Sequence, residues 1–305
     1  MPTPIALFVD RGFPMEPFAD ALAPAVDCRE WVAPDEASDV AAIVTGTPPI
    51  GIAEVAPYPN LQLVLTCSIG TDHLDVAGLN QRGLIVANNR DYCTQEVAEH
   101  ALACVLAGLR GLWRLDTAVR RGDWDYAAAG LLRRFGDCRL GIVGLGRIGR
   151  ALAERAQALG IEVVAFDPHL ADGGPVPLVG LDELLATCDA VSLHAPGGGG
   201  PVLGAPQLAL MRPDAILVNL ARPDLVDIDA MVAALHAGRL GAAAWDVWPQ
   251  EPADPADPRL QAPGLVVFPH AAWYSARAEQ AYVDEAVAVL RDVLVEGREP
   301  ASRVG

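Results

Sequence analysis

The chain has 305 residues, 52% of them hydrophobic, with 39 acidic residues against 22 basic ones and a formal net charge of −17. That length can bury a large core and fits about two domains, while the acidic balance argues against a nucleic-acid backbone or an anionic membrane as partner, since either needs a basic patch. All 22 basic residues are arginine, which removes the Walker lysine, the Schiff-base lysine and the lysine general base from the available chemistries.

The first apolar run, residues 5–9, has no basic flank and is too short for a signal sequence, so it reads as a strand. The longest apolar stretch, 101–109, falls short of the ~20 residues that cross a bilayer. Six cysteines are scattered with no C-x-x-C pair, which fits reduced core residues and a cytoplasmic protein. Further β-type runs at 41–45, 62–66 and 84–87 alternate with weaker helical patterns and predict a small α/β domain. The loop after the third run, Ser68-Ile69-Gly70-Thr71-Asp72, stands where α/β sheets place ligands. Its N–H groups suit a small carboxylate; the alternative is a plain turn with Gly70 at positive φ.

Thr94 reads as the N-cap of a long helix over 95–121, with its hydroxyl accepting from the Val97 N–H. Apolar positions such as Val97, Ala101, Val105, Leu109 and Trp113 cover more than one face. A helix apolar on two sides needs a second surface. The expectation is a homodimer that buries part of it, with an interdomain helix in a monomer as the alternative. Residues 123–136 then read as a surface loop.

An apolar run next enters Gly144-Leu145-Gly146-Arg147-Ile148-Gly149 and a helical pattern over 150–159 leaves it. Strand, G-x-G-x-x-G and helix together make a dinucleotide turn: Gly144 for the bend, Gly146 for the approach of a pyrophosphate, and Gly149 for close helix–strand packing. The phosphates are expected on the helix N-terminus. The following strand, 161–166, ends in Asp167, a carboxylate suited to ribose hydroxyls and repellent to a 2′-phosphate, with no arginine after it. The cofactor expected is NAD rather than NADP. Helices at 182–186, 206–211 and 227–237 alternate with strands at 190–194, 215–220, 242–247 and 265–268, which specifies a parallel sheet with helices on both faces. A last helix, 275–296, is long enough to return to the first domain. The glycine run Gly197 to Gly200 interrupts the pattern and reads as a flexible loop.

Arg222, Glu251 and His270 each stand just beyond a predicted strand of the nucleotide-binding sheet. Hydride transfer between NAD and a 2-hydroxy acid needs a proton donor and acceptor for the oxygen and a cation for the carboxylate. Histidine suits the first task. A neighbouring carboxylate favours the imidazolium, and a guanidinium grips two oxygens in a fork. His73, His100 and His236 are read as loop or helix-surface residues, and His194 as a strand-end residue near the cofactor. The histidines lack ligand spacing, so no metal is expected.

With these motifs in view, the chain resembles the D-isomer-specific 2-hydroxyacid dehydrogenase family along nearly its whole length. The nucleotide turn 141–149, Val218-Asn219-Leu220-Ala221-Arg222 and Asp246-Val247-Trp248-Pro249-Gln250-Glu251-Pro252 carry the resemblance. Pro269-His270-Ala271-Ala272-Trp273-Tyr274-Ser275 is similar to the histidine motif of one branch, the C-terminal binding proteins, which are dehydrogenase-like corepressors. The resemblance implies two Rossmann-like doubly wound domains with a cleft between them: a substrate-binding domain over 1–100, an NAD-binding domain over 101–276, and a C-terminal helix, 277–305, returning to the first. It implies Arg222, Glu251 and His270 as catalytic residues acting on a small 2-keto or 2-hydroxy acid. The expected NAD-binding set is Thr94, Gly144, Gly146, Arg147, Ile148, Gly149, Asp167, His194, Leu220, Ala221 and Asp246. Ile69, Gly70, Arg222 and Trp273 are expected at the substrate, Trp273 having a core role as its alternative. Pro223 and Ser68 stand where the family usually has glycine, and the glycine run replaces a more polar segment. The alternatives to a 2-hydroxyacid dehydrogenase are an NADH-responsive corepressor-like module and a dehydrogenase of a phosphorylated hydroxy acid.

Overall fold

The computed structural model describes residues 3–10 and 14–305, which divide into two compact units: one over residues up to Cys93 together with Ser275–Gly305, the other over Thr94–Tyr274. The first unit holds β1 (Ile5–Phe8), α1 (Glu16–Leu22), β2 (Asp27–Arg29), β3 (Val40–Thr45), α2 (Ile52–Val55), β4 (Leu63–Thr66), α3 (Val76–Gln81) and β5 (Ile85–Asn88). These strands form one parallel sheet in the order β2-β1-β3-β4-β5. Side chains alternate across it as the period of two requires. Ile5 and Leu7 join a core with Val55 and Leu79 on one face, while Ala6 and Phe8 join Phe18 on the other.

The second unit begins with α4 (Thr94–Leu109) and α5 (Leu112–Arg120), then β6 (Arg139–Val143), α6 (Arg147–Ala158), β7 (Glu162–Phe166), α7 (Leu181–Thr187) and β8 (Ala190–Leu193). It continues with α8 (Ala205–Leu208), β9 (Ile216–Asn219), α9 (Ile228–His236), β10 (Ala242–Trp245) and β11 (Leu265–Val267). Its six parallel strands run β11-β10-β9-β8-β6-β7. Outside β7, Ala165 bridges Leu178, donating to the Pro177 carbonyl and accepting from the Val179 N–H, each at 2.9 Å. This bridge is a rudimentary outer strand. Counting it, the sheet has the dinucleotide-binding order in which the third strand lies outside the second and the fourth pairs with the first.

The helix expected over 95–121 is two helices. Gly111, at φ +62°, ends the run between them and packs on Ala129, where an added Cβ would lie 3.0 Å from the Ala129 Cβ. Gly108 seats α4 on the sheet, since a Cβ there would fall 2.7 Å from Ile216 Cγ2. Residues 123–136 carry two 3-10 turns, Tyr126–Ala129 and Phe135–Asp137, and Arg133 anchors this segment by pairing with the buried Asp189.

The last helix, α10 (Ala276–Leu294), is capped by Ser275, whose Oγ accepts from the Ala278 N–H at 3.0 Å. It lays Ala286, Val287, Val289, Leu290 and Val293 into the core of the first unit. No helix among the described residues is long and apolar enough to cross a membrane.

Candidate active site

One row of register partners crosses the whole second sheet: Phe166, Val143, Leu193, Asn219, Trp245 and Val267 lie side by side. All these strands are parallel, so the residues that follow the row emerge at one edge. Asp167, Gly144, His194, Leu220 and Asp246 come one residue past it, and Arg222 and His270 three residues past it. The fold thus gathers most of the sequence-derived candidates at the C-terminal edge, where open α/β sheets hold ligands.

The glycine turn shows three separate physical demands. Gly144 has φ +92°, and a Cβ on it would meet the His194 carbonyl carbon and oxygen at 2.7 Å. Gly149 lies so close to the turn that a Cβ would be 2.3 Å from the Gly144 oxygen. At Gly146, the N-cap of α6, a Cβ would meet nothing within 4 Å. That open space, in front of a helix N-terminus, is the shape a pyrophosphate requires. Arg147 is exposed and Ile148 half-buried on the first turn of α6. Asp167 is pinned from both sides: Oδ2 accepts from the Leu145 N–H and Oδ1 from the His169 N–H, each at 2.9 Å. The residues present therefore fit a dinucleotide with free ribose hydroxyls.

Thr94 departs from expectation. It is the first residue of α4 and not its cap, and its buried Oγ1 has no hydrogen-bond partner. A buried hydroxyl without a partner is costly, and a ligand acceptor would relieve it. His100 is not a plain surface residue, because its ring stands edge-on to Phe268 with centroids 4.6 Å apart.

His194 pairs through Nε2 with the buried Ser192 Oγ at 2.9 Å, and burial pushes its titration from 6.5 down to about 4. The folded chain thus refuses a proton that the unfolded chain accepts between those values. Stability is expected to fall as pH drops from 6.5 toward 4. A His194→Gln variant, followed by urea unfolding across that range, should show a flatter dependence; an unchanged slope would assign it to other groups.

The turn after β9 is shaped by Asn219, whose Oδ1 accepts from the Ala221 N–H at 3.1 Å and whose Nδ2 donates to the Arg222 carbonyl at 2.9 Å. Leu220 is buried and Ala221 half-buried within it. Arg222 has the extended backbone that a following proline imposes, φ −145° and ψ 143°, and its Nη1 donates to the Ala221 carbonyl at 2.7 Å. After β10, Asp246 is 2% exposed, and burial raises its carboxyl above the usual range. Both its oxygens are engaged, accepting from the Ala271 N–H at 2.7 Å and the Ala272 N–H at 2.9 Å, while its carbonyl accepts from the His270 N–H at 2.9 Å. Asp246 thereby holds His270 at φ +53°, a left-handed backbone for a residue other than glycine. Sequence reasoning placed Asp246 beside the cofactor; this role in shaping the His270 loop it did not foresee.

Glu251 and His270 meet, Oε2 to Nδ1, at 2.7 Å, and Glu251 Oε1 accepts from the Trp248 N–H at 2.8 Å. The pair is open to solvent, His270 at 46% and Glu251 at 39% exposure. A carboxylate on Nδ1 fixes the tautomer and leaves Nε2 as the nitrogen that exchanges a proton. Trp273 is half-buried, edge-on to Tyr274 with centroids 5.6 Å apart.

In the first unit, Ile69 and Gly70 sit on a loop whose carbonyls are both occupied. Asn88 Nδ2 donates to the Ile69 oxygen at 2.6 Å, and Ser68 Oγ to the Gly70 oxygen at 2.7 Å. Peptide planarity turns the N–H groups of Gly70 and Thr71 to the opposite side. Neither Asn88 nor the hydroxyl of Ser68 was singled out by sequence for this purpose.

Comparison with known proteins identifies the family. A sequence model of the family described as "D-isomer specific 2-hydroxyacid dehydrogenase, NAD binding domain" matches residues 102–272. The chain is 37% identical to the glycerate dehydrogenase of Methylorubrum extorquens over 245 residues, 75% of this chain and 74% of that one. It is 32% identical to the D-3-phosphoglycerate dehydrogenase of Archaeoglobus fulgidus over 241 residues, 77% of this chain but only 45% of that protein's length. Among solved structures it is similar to an NADPH-dependent glyoxylate/hydroxypyruvate reductase of Sinorhizobium meliloti in complex with NADP and malonate, with a TM-score of 0.85, 27% identity, and coverage of 99% and 97% of the two chains. The chain belongs to the D-isomer-specific 2-hydroxyacid dehydrogenases, NAD-dependent oxidoreductases acting on CH–OH groups, and its second unit holds their NAD-binding domain.

Proposed function

We propose that this chain interconverts a 2-keto acid and a D-2-hydroxy acid, with His270 as the general acid and base, Glu251 as its partner and Arg222 as the cation for the substrate. The observation that carries the reading is the emergence of Arg222 and a hydrogen-bonded His270–Glu251 pair at the edge that also bears the glycine turn. Bound NADH supplies the hydride. His270 donates the Nε2 proton to the C2 oxygen in reduction and takes it back in oxidation. Glu251 keeps the proton of Nδ1 engaged, so that the imidazole cannot turn over. Arg222 offers a planar fork to the carboxylate and keto oxygens. We assign the N–H groups of the Ile69–Gly70 loop to the substrate carboxylate, and Trp273 to the substrate side chain. The dinucleotide is assigned to Thr94, Gly144, Gly146, Arg147, Ile148, Gly149, Asp167, His194, Leu220, Ala221 and Asp246. The test is a panel of 2-keto acids, phosphorylated and unphosphorylated, followed by NADH absorbance. Turnover on at least one is expected; tight NADH binding with none would favour the corepressor-like module.

Asp167 is the proposed selector of NAD. Its carboxylate is held by two backbone N–H groups and cannot swing away from a 2′-phosphate. Asp167→Ala should cut the preference for NADH over NADPH by about tenfold or more. Equal ratios of kcat/KM in variant and parent would remove Asp167 from that role.

The homodimer expected from the long helix remains a proposal, supported by apolar exposure on and next to α5. Trp124 and Tyr126 are each 91% exposed and Leu131 98%, with Leu112 and Val119 also open. Surface of this kind marks association. Light scattering at micromolar concentration should give about twice the 32.0 kDa chain mass; the mass of one chain would refute it. The scattered free cysteines support a cytoplasmic setting.

A further inference from the structure

The glycine run Gly197 to Gly200 takes no part in the site described so far, yet its course is fixed at two places. The Gly198 N–H donates to Asp224 Oδ2 at 2.6 Å. Beyond the run, the Leu203 N–H donates to the Leu225 carbonyl at 3.0 Å and the Asp227 N–H to the Leu203 carbonyl at 2.9 Å, which closes a parallel bridge between Leu203 and Val226. The segment leaving β8 is therefore stitched to the residues that directly follow Arg222. Gly198 and Gly200 have φ of +88° and +78°, values that a side chain would strain. At Gly197 the constraint is contact. A Cβ there would lie 2.7 Å from Asp224 Oδ1, 3.0 Å from Arg222 Cγ and 3.2 Å from Arg222 Cβ. The backbone of Gly197 thus forms a wall against the aliphatic stem of Arg222, and the carboxylate beside that wall holds the next amide.

We propose that Asp224 is a positioning residue for Arg222: by latching the Gly198 amide it keeps the Gly197 backbone against the Arg222 stem and so limits where the guanidinium can point. The need follows from the sequence. An arginine side chain carries large rotamer freedom, and Pro223 restrains the backbone of Arg222 without touching its χ angles. A wall on Cβ and Cγ removes rotamers at the root of the side chain, where small changes displace the guanidinium most. A charge-assisted bond from an amide to a carboxylate is strong enough to hold so short a loop.

The proposal rests on Arg222 as the substrate-holding cation, so the test separates the two claims. In the full-length chain, Asp224→Ala and Asp224→Asn are compared with the parent. Two readouts need no turnover: hydrogen exchange at the Gly198 amide and 15N relaxation of the Arg222 Nε–H. Asp224→Ala should speed the exchange about tenfold and lower the order of the Arg222 Nε–H. It should also raise KM for the keto acid about tenfold while leaving kcat and NADH affinity within about twofold. Asn keeps an oxygen for the same amide and should restore most of each loss. The latch is refuted if Asp224→Ala leaves the Arg222 Nε–H order and the KM unchanged, or if Asn fails as badly as Ala. A parent enzyme with no keto acid turnover would refute the functional reading instead, and the exchange and relaxation data would still decide the latch.

Discussion

In a His270→Ala variant, kcat for the keto acid is expected to fall by about a thousandfold, about 4 kcal/mol of barrier, while NADH affinity stays within about twofold of the parent. The split follows from the construction of the edge. The glycine turn and Asp167 follow β6 and β7, whereas His270 follows β11 at the far side of the same sheet. Removing the imidazole deletes the proposed proton donor without altering the turn. A Glu251→Gln variant supplies the companion result. Glu251 accepts from Trp248 through one oxygen and meets His270 with the other. An amide has a single oxygen, so if it stays on the Trp248 N–H, its NH2 faces Nδ1. That contact forces the opposite tautomer, with the proton on Nε2 and Nδ1 left as an acceptor, so the ring can no longer carry protons on both nitrogens, the state from which Nε2 gives one up in reduction. A loss of about tenfold to a hundredfold in kcat is expected, smaller than for His270→Ala because the imidazole remains. Rapid-quench or stopped-flow turnover with saturating NADH reads both. An unchanged kcat in His270→Ala would remove the residue from the chemistry.

Some parts of the site are legible in the residues alone and others only in the folded chain, for physical reasons. The glycine turn was legible because each glycine answers a demand no other residue meets, and the structure shows a positive φ, an open face and a close approach in that order. Arg222, Glu251 and His270 were legible because each follows an apolar run, and a parallel sheet brings such ends together. The groups that hold them in place were not. Asp246 acts on the Ala271 and Ala272 N–H groups, Asn219 on both ends of its turn, and Asn88 on a carbonyl nineteen residues away. A backbone N–H or carbonyl has no residue identity, so a side chain that binds one leaves no spacing to read. The break at Gly111 was hidden for a different reason. A glycine inside a helical pattern costs only about 1 kcal/mol, too little to mark a stop, and the decision there belongs to packing against Ala129. The three residues of β2, Asp27, Cys28 and Arg29, carry no apolar run and form a strand only because β1 offers an edge.

Replacing Arg222 with lysine should lower kcat/KM by about a hundredfold, with KM raised and kcat also reduced, even though the charge is kept. The reason lies in how the guanidinium is presented. Asn219 fixes the turn through the Arg222 carbonyl, Pro223 keeps the backbone extended, and one terminal nitrogen donates to the Ala221 carbonyl. That last bond ties one terminal nitrogen to the backbone and, because the guanidinium is planar, restrains the plane in which the group would meet two substrate oxygens. A lysine ammonium is a single point with three rotatable donors, and tying one to Ala221 fixes no plane. It can neutralise a carboxylate, but it cannot also hold the keto oxygen at the angle from which charge builds up in the transition state. Binding and chemistry should therefore both suffer, whereas a residue that only neutralised charge would raise KM alone. A small uncharged guanidinium mimic cannot make this distinction, but added guanidinium ion can. Partial rescue of an Arg222→Ala variant by guanidinium, and not by an alkylammonium of similar size, is the result expected if planarity carries the effect. Equal rescue by both would reduce Arg222 to a counter-ion.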